Sequence, residues 1–101
     1  MEKKYFALKL LPKRPDFMQT MTAEERGIMM QHVAYWHQHV ENGTMLVMGP
    51  VLDPKGAYGL GIIGVQSEVE MLELIKHDPG ATINTYEYHP MMAKVKNEKV
   101  V

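Results

Sequence analysis

The apolar positions of this 101-residue chain follow two different periods. At 100° per residue, Met29, His32, Val33, Trp36 and Val40 share one helical face, while Gln31, Gln38 and Glu41 fall outside it. His37 lies opposite the centre of that stripe and His39 near its edge. Thr22-Ala23-Glu24-Glu25 has the form of a capping box, and Asn42-Gly43 supplies a left-handed C-terminal cap. The pattern therefore predicts a long helix from there to about Asn42. Around it, four shorter apolar runs read as strands: Tyr5 to Leu11, Thr44 to Gly49, Tyr58 to Val65 and Thr82 to His89. The first and third are apolar on both faces, and glycines 59, 61 and 64 mark close packing against the third. Ser67-Glu68-Val69-Glu70 is a second capping box, opening a short helix with Val69, Leu72 and Ile75 inward and ending at Lys76-His77. Between these elements, LPKRPDFMQTM is a loop and Asp53-Pro54-Lys55-Gly56 a turn; Lys94 to Val101 is a polar tail or short edge strand.

The order is β-α-β-β-α-β, which implies a single α+β domain over residues 1–101 with a ferredoxin-like fold. Right-handed crossovers place both helices on one face of an antiparallel sheet. The opposite face would then be bare, although two of its strands carry apolar residues toward it. A second copy of the chain covering that face resolves the conflict, so a face-to-face homodimer is expected.

Composition narrows the function classes. With 11 basic and 12 acidic residues the net charge is −1, which provides no general field for nucleic acid or an anionic membrane. There is no cysteine, so disulfides, thiolate nucleophiles and cysteine zinc sites are excluded. The basic start MEKKYFALKLLPKRPD contains an apolar run, but Lys9 interrupts it and Pro12 ends it, so it reads as a strand and not a signal peptide. No window approaches a membrane span. These features give the expectation of a soluble, cytoplasmic protein. Ten methionines are many for this length, and the favoured reading is adaptable core filling over a pliable pocket.

Topology brings the candidate chemistry together. The end of the first strand, the turn between the second and third, and the end of the second helix lie at one end of such a domain. That end collects Arg14, Asp16, Asp53, His77 and Asp78, and His32 leans toward it from the first helix. Beside an apolar, Met- and Tyr-rich wall, with Tyr58 and Trp36 as candidate contacts and Trp36 equally readable as core, this is the composition of a small-molecule pocket. A carboxylate bonded to one imidazole nitrogen fixes the tautomer and leaves the other nitrogen as general base or acid. Asp53 or Asp78 can fill that role, and each also suits a plain turn aspartate before proline. Arg14 and Asp16 can hold an anionic group or form a solvated loop pair. His32, His37 and His39 are spaced by five and seven residues, which scatters their rings, so no metal site is expected. The Gly59 to Gly61 GxG lies within a strand, and no cofactor is implied.

The chain resembles the YciI-like (YCII-related) family of the dimeric α+β barrel superfamily. The resemblance rests on KYFALKLLPKRPDF, MTAEERGIMMQHVAYW, the spacing from His32 to Gly49-Pro50, GPVLDPKGAYGLGI, and Asp78-Pro79 after the second helix. It implies a ferredoxin-like dimer, with His32 and either Asp78 or Asp53 as catalytic groups; Arg14, Asp16, Trp36 and Tyr58 are the candidates of this chain for contact with a small-molecule substrate. Where relatives often carry an aromatic after Asp-Pro, this chain has Gly80. One relative is a dehydrochlorinase of a chlorinated hydroxyquinol-type aromatic, which implies an acid–base lyase or isomerase without cofactor. A non-catalytic ligand-sensing module and a cofactor-free oxygenase are the alternatives.

Overall fold

Each long element starts and stops where the sequence offers partners for its free backbone groups. The computed structural model describes residues 2–96. These form β1 (Lys4–Leu11), a single-turn α1 (Phe17–Thr20), α2 (Ala23–Glu41), β2 (Met45–Val51), β3 (Tyr58–Val65), α3 (Glu68–Lys76), a 3₁₀ turn (Pro79–Thr82) and β4 (Thr85–Met91). At the start of α2 the Thr22 hydroxyl accepts from the Glu25 amide at 3.1 Å, and the Glu25 carboxylate accepts from the Thr22 amide at 2.9 Å. Gly43, at φ +87°, ends the helix in the left-handed region. At α3 the Ser67 hydroxyl takes the Glu70 amide, but the Glu70 carboxylate reaches back one residue further, to the Gln66 amide at 2.8 Å.

The sheet order is β2-β3-β1-β4 with every neighbouring pair antiparallel, the ferredoxin-like arrangement. Along β1, Phe6, Leu8 and Leu10 are buried while Tyr5, Ala7 and Lys9 are half-buried, the period-two signature of one covered face. Register carries that face across the sheet: Ile63 stands opposite Phe6, Gly61 and Tyr88 opposite Leu8, and Gly59 and Tyr86 opposite Leu10. The core forms on this face, where Trp36 of α2 and Met71 of α3 meet Phe6, Leu8, Ile63 and Val65. The other face is open in the single chain. Val47, Leu60 and Met91 are 60%, 39% and 40% exposed on it, and Lys9 stands beside Glu87.

Several elements differ from the sequence pattern, each for a physical reason. The buried stripe of α2 runs through Glu25, His32 and Trp36, with Met29, Tyr35 and His39 half-buried; Val33 and Val40 are 56% and 37% exposed. Two polar residues turn inward because each finds a partner there, as described below. On α3 it is Met71 that is fully buried, with Leu74 and Ile75 beside it, whereas Val69 and Leu72 face outward. The set 71, 74, 75 is as helical as 69, 72, 75, and the unbranched methionine is the one that fills the gap. The loop after β1 contains the extra turn α1, β2 runs on to Val51, and β4 starts at Thr85 because the preceding residues form the 3₁₀ turn. Residues 94–96 form no strand, and the remainder of the expected tail, 97–101, lies outside the described residues.

Met71→Ala should lower stability by about 2–5 kcal/mol in chemical denaturation, whereas Val69→Ala should change it by less than about 0.5 kcal/mol. Equal effects at the two positions would show that α3 faces the core differently.

Candidate active site

The long helix presents its middle residue, His32, to the 3₁₀ turn. His32 Nδ1 lies 2.8 Å from Oδ2 and 3.0 Å from Oδ1 of Asp78. An ionised carboxylate only accepts, so Nδ1 carries the hydrogen and Nε2 is the free ring nitrogen. No protein group among the described residues bonds Nε2, and the side chain lines a cavity. Asp78 is 2% exposed and is held from three sides. Besides His32, its Oδ1 accepts the Gly80 amide at 2.8 Å and its Oδ2 accepts the Tyr86 hydroxyl at 2.5 Å. Burial pushes the Asp78 carboxyl up, but the hydrogen bonds from His32, Tyr86 and the Gly80 amide outweigh it and hold the group below the ordinary carboxylate value. Tyr86, in turn, is pushed well above the usual phenol value by burial and by donating to that carboxylate. Its oxygen accepts the Trp36 indole N–H at 3.1 Å, which completes a chain Trp36–Tyr86–Asp78–His32.

Gly80 is where the chain comes closest to the imidazole. A Cβ built there would stand 2.6 Å from His32 Nδ1 and 3.0 Å from its Cβ and Cγ. The absence of a side chain at Gly80 therefore lets His32 approach the turn that carries Asp78. The Gly80 carbonyl accepts the Asn84 side-chain amide at 2.9 Å, fixing the last residue before β4 to the same turn.

The cavity measures about 220 Å³ and lies between α2, the covered sheet face and the loop after β1. Gly59 and Gly61 form part of its floor, where Leu10 and Leu8 stand opposite without competing side chains. Met18, Met21, Met29, Met45 and Met48 line it, half of the ten methionines, while Met45 and Met71 also belong to the buried core, so the methionines serve both core and cavity wall. Trp36 and Tyr58 line it too, as the sequence pattern suggests. Among the described residues no lysine, arginine, aspartate or glutamate does.

The remaining candidates lie elsewhere. Asp53 is not brought to His32; its Oδ1 accepts the Lys55 amide and its carbonyl accepts the Gly56 amide, both at 2.9 Å, as a turn aspartate does. Arg14 and Asp16 do not reach the cavity. The Arg14 guanidinium makes a forked pair with Glu25, at 2.8 and 3.1 Å, and also bonds Thr20 Oγ1 and the Thr20 carbonyl, each at 2.8 Å. That pairing with Arg14, reinforced by the Thr22 amide, holds the Glu25 carboxyl down at about 2. Asp16 accepts the Thr20 hydroxyl through its carbonyl and sits at the start of α1. Together these residues clamp the loop whose Phe17, Met18 and Met21 wall the cavity. His77 bonds the Glu73 carbonyl at the end of α3, and His37 is exposed beside Glu41. Sequence reasoning missed Tyr86 and Asn84, and marked Gly80 only as a departure from the resemblance. For Tyr86 a signal existed, because TYEYH alternates and puts Tyr86 and Tyr88 on one face.

Residues 6–93 match the family described as the YCII-related domain. No curated protein matches the chain. Among solved structures, SnoaB, a cofactor-independent oxygenase from Streptomyces nogalater, aligns over 98% of this chain and 100% of its own, at 8% identity and a TM-score of 0.49. A likeness of that degree transfers no chemistry.

Gly80→Ala should displace the His32 ring from Asp78 and cost about 1–3 kcal/mol of stability, with the imidazole nitrogen resonances shifting in NMR. Unaltered His32 resonances would show that the pair does not depend on this close approach.

Proposed function

Since the chain belongs to the YCII-related domain family, we propose that it is a cofactor-independent acid–base enzyme of lyase or isomerase type acting on a small, largely apolar molecule. The observation that carries this reading is His32 itself: one nitrogen is bonded to a buried carboxylate, and the other is free at the wall of an apolar cavity. In this mechanism Nε2 takes a proton from the substrate, and Asp78 stabilises the imidazolium that results. Tyr86 and the Gly80 amide keep Asp78 ionised, so the proton stays on the ring until it is returned to another atom or to a leaving group. The methionine and aromatic wall is apolar, and a substrate that fills it displaces water, which strengthens each of these interactions.

His32→Gln keeps most of the side-chain volume and removes the base. For a substrate identified by screening, kcat should fall by about 10²–10⁴-fold with the circular dichroism spectrum unchanged. Undiminished turnover would remove His32 from the mechanism, and binding without turnover by the unaltered protein would favour a sensing module.

The open sheet face supports a second part of the proposal, that two copies pack through it. Its exposed Val47, Leu60 and Met91 gain burial only from a partner, and Lys9 beside Glu87 on the same face offers self-complementary charges to a twofold mate. Sedimentation should give twice the 11.6 kDa chain mass, and Val47→Glu should shift the population toward the single chain. A monomer at micromolar concentration would exclude this packing.

A further inference from the structure

Two polar groups of the cavity wall stand outside the acid–base chemistry, the Tyr58 phenol, whose ring lies under Lys9, and the Asn84 amide. Asn84 lines the cavity beside His32, and both side chains are fixed by the same short turn. Its orientation follows from chemistry: a carbonyl only accepts, so the atom bonded to the Gly80 carbonyl at 2.9 Å is Nδ2, which also lies 3.4 Å from Met29 Sδ. Oδ1 is left over. It has no protein partner among the described residues, on a half-buried side chain of a predominantly apolar cavity wall. An acceptor in such surroundings gains most from a ligand that brings a donor.

The same wall says what the ligand is not. Among the described residues no cationic side chain lines the cavity: Lys13 and Arg14 are engaged with Glu25 at 3.4 and 2.8 Å, and the Lys9 ammonium lies over the Tyr58 ring, 4.4 Å from its centroid. An anion entering the cavity would lose its hydration and meet the unpaired oxygen of Asn84 without a compensating positive side chain.

We propose that Asn84 is a specificity-determining residue whose Oδ1 accepts a hydrogen bond from an uncharged, mostly apolar ligand, selecting neutral donors over acceptor-only molecules and over anions. The inference rests on the acid–base reading for its catalytic meaning, yet it concerns binding alone. The cavity is somewhat larger than the roughly 150 Å³ space that takes a benzene ring, so a single ring with one substituent is a fair probe.

Trp36 is the only tryptophan and lines the cavity, so its emission reports occupancy. Three probes with the same ring isolate the polar group: benzyl alcohol is neutral with a donor, anisole is its acceptor-only isomer, and benzoate is the anion. Titrated at millimolar concentration, benzyl alcohol should bind about 3–10-fold more tightly than anisole, with benzoate weakest. Asn84→Leu, close in volume, should abolish the preference of benzyl alcohol over anisole without weakening anisole. Equal binding of the two isomers by the unaltered protein overturns the proposal even if the leucine variant fails to fold, as does tighter binding of benzoate or saturable binding of none of the three. Because the His32→Gln experiment reads turnover and this one reads binding preference, either can fail while the other stands.

Discussion

A carboxylate shut away from water determines how the other parts of the molecule are arranged. Asp78 is almost fully buried, and a charge in that position is tolerated only with partners on every side. The chain draws those partners from three elements: His32 from the middle of α2, Tyr86 from β4, and the Gly80 amide from the turn itself. Removing one partner of such a group typically costs about 3–5 kcal/mol, so the crossing of α2 over the turn and the start of β4 are stabilised together. The polar chain also explains why α2 turns a histidine inward and leaves Val33 half outside.

The arrangement separates the charged fastenings from the cavity. At the start of α2, Glu25 serves twice, as the reciprocal half of the capping box and as the receiver of the Arg14 fork. The charges gathered at this end of the domain therefore fasten a loop, and only the apolar side of that loop reaches the cavity. Beyond it, the free nitrogen of His32 stands in a cavity wall with no ionised aspartate, glutamate, lysine or arginine among the described residues. Proximity in topology placed Arg14, Asp53 and Asp78 at the same end; hydrogen-bond geometry assigns only Asp78 to the histidine.

Much of the fold could be read from the chain because its signals are local. The capping residues Thr22 and Ser67, the Asn42-Gly43 stop and the turn at Asp53 act within four residues, and all are found in place. The inward faces were harder, since periodicity alone does not say which of two helical stripes meets the core; Met71 and Val69 differ in burial because of what lies across from them. The site was legible in part. His32 stood out on an apolar stripe, and Asp78 was one of two turn aspartates. It turned out to act both as a turn aspartate, bonding the Gly80 amide, and as the partner of the imidazole. Asn84 gave no local sign, because what places its side chain in the cavity wall is a bond from its amide to a carbonyl four residues away.

The methionines of the cavity wall carry a consequence for the kind of selectivity this protein can have. Thioether side chains turn about three bonds at little cost and remould themselves around whatever presses on them. A surface built from five of them does not measure the outline of a guest, much as other methionine-rich surfaces accept guests of many shapes. Discrimination then falls to the rigid members of the wall: the imidazole lying on its glycine, the amide tied to the turn, and the indole fixed through its N–H.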